Sequence, residues 1–125
     1  MEDFSIPFYL LGDGFKMLYV TLALAAAAYD GYVLIEEPEN FQHPSSMELM
    51  LRGLVNIAKE GEKCQLFMST HNEELIKKLL ALCEEANIDL RVFRLELKRG
   101  ELKSVAYDLE EAKACVEDLG ADLRG

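Results

Sequence analysis

The order of patterns along the chain predicts an α/β domain. Two short continuous apolar runs, at 32–35 and 64–68, stand between segments with helical spacing, and two alternating runs around Arg99-Gly100 form a hairpin near the end. Short apolar runs separated by helices read as parallel strands buried on both faces, and the hairpin reads as an antiparallel edge.

Each element has a local reason. An apolar approach, Ile6-Pro7-Phe8-Tyr9-Leu10-Leu11, ends in Gly12-Asp13-Gly14, and residues 14–29 are rich in Leu, Ala and Met, which favour helix. Asp13 stands where an N-cap would be, and Asp30-Gly31 is the stop. This first helix carries one charge, Lys16, so it is expected to be covered on more than one side. Tyr32-Val33-Leu34-Ile35 is the first strand and ends abruptly in Glu36-Glu37-Pro38-Glu39-Asn40. Pro44-Ser45-Ser46 opens a second helix to about Glu60, with Met47, Met50, Leu51, Leu54, Val55 and Ala58 on one face and Gly61 as its end. The second strand runs over 64–68. A third helix is expected over 71–86, with Thr70 as a possible cap and Leu75, Ile76, Leu79, Leu80 and Cys83 inward. Strands at 90–98 and 101–107 flank the turn, and an acidic helix follows over 108–119.

Composition narrows the function classes. The 125 residues hold 13 Lys+Arg and 23 Asp+Glu, a formal charge of −10. This argues against direct nucleic-acid binding by the chain itself. Residues 1–62 carry 10 acids and 3 bases, whereas 63–125 carry 13 and 10, so the acidic excess sits in the first half. Half the residues are hydrophobic, enough for a core, and the length suits one domain over 1–125. Cys64, Cys83 and Cys115 lack metal-ligand spacing and read as free thiols of a reducing compartment. No signal peptide is visible, and the longest uncharged stretch, residues 17–29, is too short to span a bilayer. The expected location is cytoplasmic, with no membrane partner.

Ligands of open α/β sheets sit beyond the carboxyl ends of the strands. Here one strand ends in Glu36-Glu37 and the other in Ser69-Thr70-His71. If the strands are neighbours, two carboxylates and an imidazole share one sheet edge. One carboxylate there can hold Mg²⁺ through its waters, a second can orient or deprotonate an attacking water, and a His can meet a phosphate oxygen. Taken singly, each feature also has a plain structural reading: a solvated loop, a helix start, a turn with an N-cap, or, for His43-Pro44, the opening of a helix.

The ordered set resembles the ABC/SMC-like AAA-type ATPases, a group that includes the overcoming-lysogenization-defect-type proteins. Leu11-Gly12-Asp13-Gly14-Phe15-Lys16 before an apolar helix looks like an ABC-type signature. Val33 to Asn40 resembles a Walker B strand and the loop after it, Phe41-Gln42-His43-Pro44 its continuation, and Met68-Ser69-Thr70-His71-Asn72 the H-switch. The tail, Val105 to Tyr107, a helix and Asp122-Leu123-Arg124, resembles the C-terminal end of such proteins. No Gly is followed by Lys, so no G-x-x-x-x-G-K-[ST] phosphate loop (Walker A) occurs in the sequence.

The resemblance therefore implies the C-terminal half of an ABC-type ATPase domain: a three-layer, P-loop-NTPase-like half domain with parallel core strands flanked by helices and a C-terminal antiparallel hairpin. It implies ATP and Mg²⁺ as ligands of the completed site only. Glu37 matches the catalytic carboxylate that polarises water, Glu36 the acid that holds Mg²⁺ through water, and His71 the switch His that contacts the γ-phosphate. Gly12, Asp13 and Gly14 match the signature that contacts a partner's nucleotide, and Lys16 and the helix-start amides can serve its phosphates. Ser is usual where Gly12 stands, and Asp13 beside a triphosphate is repulsive without a cation, which favours capping. Glu39 and Asn40 fall in the loop facing the opposite subunit.

The expected partner is a P-loop-bearing segment or subunit, in a homo-oligomer or hetero-complex. The expected enzyme is an ATPase only when so completed, with uncovered apolar faces in its absence. A split gene product, a decayed remnant and an excised segment remain open. A non-catalytic interaction module derived from such an ATPase is the alternative. A metal-dependent hydrolase using Glu36, Glu37, Glu39 and His43 is a weaker third reading.

Overall fold

The computed structural model describes residues 11–28, 30–40, 42–61 and 64–117. The apolar approach at 6–10, Tyr29, Phe41, residues 118–119 of the expected last helix and the Asp122-Leu123-Arg124 tail lie outside these residues. Eight elements follow in order: α1 (Asp13–Ala27), β1 (Tyr32–Glu36), α2 (Pro44–Glu60), β2 (Gln65–Ser69), α3 (Glu73–Ala86), β3 (Val92–Lys98), β4 (Glu101–Tyr107) and α4 (Leu109–Glu117). The α/β class, the parallel pair flanked by helices and the antiparallel hairpin are as the sequence predicts.

β1 and β2 pair in parallel, Tyr32 opposite Gln65 through to Glu36 opposite Ser69. Period-two alternation then separates two faces. Ile35, Leu66 and Met68 pack against a core built from Leu18 and Ala25 of α1, Met47, Met50, Leu51, Leu54 and Val55 of α2, and Leu75, Leu82 and Cys83 of α3. Leu82 joins this core although its position was not assigned inward from sequence, and Leu79 is only half-buried. α1 meets α2 where Gly53 faces Leu22: a Cβ on Gly53 would stand 2.6 Å from a Leu22 methyl.

The other sheet face is open, which corrects the expectation of strands buried on both faces. Tyr32 and Leu34 are 70% and 78% exposed, and the rings of Tyr32 and Phe67 tilt together with centroids 6.0 Å apart. The first helix is also covered on one side only. Leu18 and Ala25 are buried, whereas Phe15, Met17, Tyr19, Val20 and Leu24 are exposed. At both places exposed apolar residues stand where apolar content predicted cover.

Several helix ends differ in detail. Gly12, not Asp13, is the N-cap of α1 and makes no side-chain cap; Asp13 is the first helical residue, where its charge meets the positive helix end. His43 caps α2 with Pro44 at the first position. Asn72, not Thr70, caps α3, its Oδ1 accepting from the Leu75 N–H at 3.1 Å. Asn87 ends α3 in the left-handed conformation. In the hairpin Arg99 and Gly100 both have positive φ, 52° and 80°, as a two-residue primed turn demands. The hairpin and α4 close a second cluster, Ile76, Leu80 and Ala112, with Val92 and Tyr107 against it.

Two outcomes follow from this packing. Leu51→Ala empties a fully buried position and should cost about 2–5 kcal/mol in urea unfolding, while Leu34→Ala should change stability by less than about 0.5 kcal/mol. Burial pushes the Cys83 thiol up, keeping it neutral. A thiol-reactive probe should therefore label Cys64 and Cys115 in the folded chain and reach Cys83 only after unfolding.

Candidate functional site

Parallel pairing brings the two polar strand ends together. Beyond the Glu36–Ser69 pair the ladder gains one more rung, from the Glu37 N–H to the Ser69 carbonyl at 2.9 Å. The chain then turns sharply. Glu37 has φ 44°, a left-handed conformation rarely adopted by a residue with a side chain and disfavoured further before Pro38. Such strain persists only where surroundings fix it, and it gathers at functional sites.

The surroundings here are polar and specific. Glu37 Oε1 lies 3.1 Å from His71 Nε2, and Glu37 Oε2 accepts from the Asn40 side-chain amide at 2.9 Å. The Asn40 backbone N–H donates to the Glu37 carbonyl at 3.0 Å. The His71 side chain is 81% exposed and that of Glu37 35%. An exposed pair of this kind contributes at most about 1 kcal/mol, so its importance is placement rather than stability. Glu37, Asn40 and His71, assigned separately from sequence, therefore meet at one point.

A second set of bonds ties the same loops together. Glu39 Oε1 accepts from the Thr70 hydroxyl at 2.6 Å and from the His71 N–H at 3.2 Å, while Thr70 Oγ1 accepts from the Asn72 N–H at 3.0 Å. The Gln42 side-chain amide donates to the Gly14 carbonyl at 2.8 Å and joins this loop to the start of α1. Sequence reasoning placed Glu39 in an inter-subunit loop and gave Gln42 no contact. Partners 31 and 28 residues away leave no signal in a single sequence.

An open depression is lined by Glu37, Glu39, Asn40, His71, Asn72, Glu73 and Glu74. Four of those seven are carboxylates, so a polyanion needs a cation or basic groups from elsewhere to sit there. Gly12, Asp13, Gly14, Lys16 and Glu36 are not among the lining residues. The first four lie at the start of α1. Glu36 is exposed at the end of β1 and shares the open sheet face with Tyr32 and Leu34.

Among the described residues no group of three His, Cys, Asp or Glu could hold a metal ion. Glu39 is engaged with Thr70, and His43 caps α2. This corrects the metal-hydrolase reading, which needs Glu36, Glu37, Glu39 and His43 as one cluster. No helix among the described residues is long and apolar enough to cross a membrane.

Comparison with known proteins gives the family. Residues 2–77 match the family described as "AAA domain, putative AbiEii toxin, Type IV TA system". An uncharacterised protein of Methanocaldococcus jannaschii is 34% identical over 115 residues, covering 92% of this chain and all of that protein. An ATP/GTP phosphatase of Helicobacter pylori is 33% identical over 78 residues, 60% of this chain, and the chain spans about a fifth of that protein's length. No solved structure matches. The family match covers more than half of the chain, from before α1 into α3. This chain belongs to that AAA family and is an AAA-type, ATPase-like domain.

Proposed function

We propose that this chain is the portion of an ABC-type ATP-hydrolysing protein that carries the signature, Walker B and H-switch, silent alone and completed by a P-loop-bearing segment or subunit. The observation that carries this reading is the contact between Glu37 and His71 at the ends of two parallel strands, in a sequence without a phosphate loop. ATP would be the substrate, and Glu36 would hold Mg²⁺ through its waters, an ion that would supply charge neutralisation on the phosphates.

Phosphoryl transfer to water depends on positioning and on stabilising charge. Glu37 accepts a hydrogen bond from the attacking water and takes its proton as the water oxygen bonds to the γ-phosphorus, while the bond from that phosphorus to the β–γ bridging oxygen breaks and ADP leaves. The Asn40 amide on Oε2 and the His71 ring beside Oε1 hold that carboxylate in place. His71, with its ring largely in solvent, is available to a γ-phosphate oxygen. Gly12, Asp13, Gly14 and Lys16 face the nucleotide of an opposing subunit, where backbone N–H groups at a helix start favour an anion. The lysine and amide cradle come from the partner, whose positive charge offsets the acidic depression.

The open apolar surfaces of α1 and of the parallel sheet support the need for a partner, since contiguous exposed apolar area marks interaction sites. The same surfaces favour the second reading, an interaction module without catalysis, and the two separate on one assay. The chain, recovered from its own cells with whatever P-loop protein accompanies it, should hydrolyse Mg-ATP. Glu37→Gln in that complex should lower kcat about 10²- to 10⁴-fold while nucleotide stays bound. Unchanged turnover in Glu37→Gln would refute the assignment of the base, and a stable complex without turnover would favour the module. Alone, the chain should self-associate at micromolar concentration in sedimentation velocity, and Leu34→Ser with Phe67→Ser should shift it toward monomer.

A further inference from the structure

We propose that Glu39 is a positioning residue: its carboxylate locks the loop carrying Glu37 to the loop carrying His71 and so sets the alignment of base and switch. This rests on the ATPase reading for its consequence in turnover, but not for its geometry. Glu39 lies two residues after Glu37, and its Oε1 accepts from both Thr70 Oγ1–H and the His71 N–H. The Thr70 hydroxyl is itself oriented by the Asn72 N–H, which also sits at the N-cap of α3. One oxygen thus fixes the hydroxyl before His71 and the amide of His71, the residue whose ring meets Glu37.

The other connections between these loops are weaker in kind. The Glu37 N–H to Ser69 carbonyl bond extends the sheet ladder but ends before His71. The Glu37–His71 contact has its imidazole largely in water, and an exposed pair of that sort holds little by itself. The Glu39–Thr70 bond, at 2.6 Å, is partly buried and at the short end of O–H···O distances. Glu39 Oε2 is buried and has no hydrogen-bond partner among the described residues, so Oε1 alone anchors the side chain. The interaction needs an acceptor at Oε1 and not the charge as such. Glu39→Gln keeps that acceptor, whereas Glu39→Ala removes it.

The test has two arms. In the isolated, isotope-labelled chain, the nuclear Overhauser contact between the His71 ring and the Glu37 side chain should be present in the wild type and in Glu39→Gln. It should be lost in Glu39→Ala. Thr70→Val, which keeps the shape and deletes the hydroxyl, should weaken it and serves if Glu39→Ala does not fold. In the completed, ATP-hydrolysing complex, Glu39→Ala should lower kcat at least tenfold with KM for ATP within about twofold, and Glu39→Gln should stay within about threefold of wild type. A His71–Glu37 contact as strong as wild type in Glu39→Ala, or in Thr70→Val where that is the variant measured, would overturn the proposal. So would a Glu39→Gln variant as damaged as Glu39→Ala. A wild-type complex that never turns over ATP would refute the ATPase reading and leave the first arm to decide the role of Glu39.

Discussion

The parallel pairing of β1 with β2 is the constraint on which the rest of the site depends. The register that sets Glu36 opposite Ser69 decides that Glu37 and the loop 69–72 emerge side by side. A slip of β2 by one residue would turn its side chains to the other face and carry Leu66 and Met68 out of the core. The hydrophobic requirement of the inner face thus fixes the positions of the polar residues beyond it. Glu37 then takes a left-handed backbone conformation that its surroundings over-determine: Asn40 and His71 at its carboxylate, and Ser69 at its amide.

From that edge, bonds radiate to three elements. Gln42 reaches the carbonyl of Gly14 at the start of α1, Glu39 reaches Thr70 and His71 ahead of α3, and Lys78 of α3 donates to the Pro44 carbonyl at the start of α2. The β1–α2 loop is therefore tied to the starts of all three helices that build the main core. A shift in any of these helix starts would therefore move the groups around Glu37. The acidic depression and the open apolar faces belong to the same picture. One calls for positive charge and the other for apolar cover, and the P-loop-bearing partner proposed above would bring both.

Much of this was legible in the sequence because the responsible forces are local or periodic. Pro44 after His43 and Gly61 at the end bounded α2 to the residue, and Met47, Met50, Leu51, Leu54 and Val55 declared its inner face by spacing alone. Arg99-Gly100 announced the hairpin through its backbone requirement. Glu37, Asn40 and His71 were singled out as functional, and their meeting followed once the two strands proved to be neighbours. Burial of the strands and of α1 was misjudged because apolar content reports what a surface can bury against, and the cover for Tyr32, Leu34, Phe67 and Leu24 is not among the described residues. Caps at Asp13 and Thr70 failed because neighbours one or two positions away, Gly12 and Asn72, took that role. The Glu39–Thr70 bond joins loops that only the tertiary fold brings together, so no local pattern foreshadowed it.

The central claim is that this domain holds the water-activating and switch groups of an ATPase but lacks the means to hold the nucleotide by itself. The most direct test is a calorimetric titration of Mg-ATP into the purified chain, with Glu37→Gln beside the wild type to suppress turnover. The account predicts no binding up to millimolar ATP in either protein. Micromolar binding by the isolated chain would contradict it and would require a phosphate site outside the composite arrangement described above.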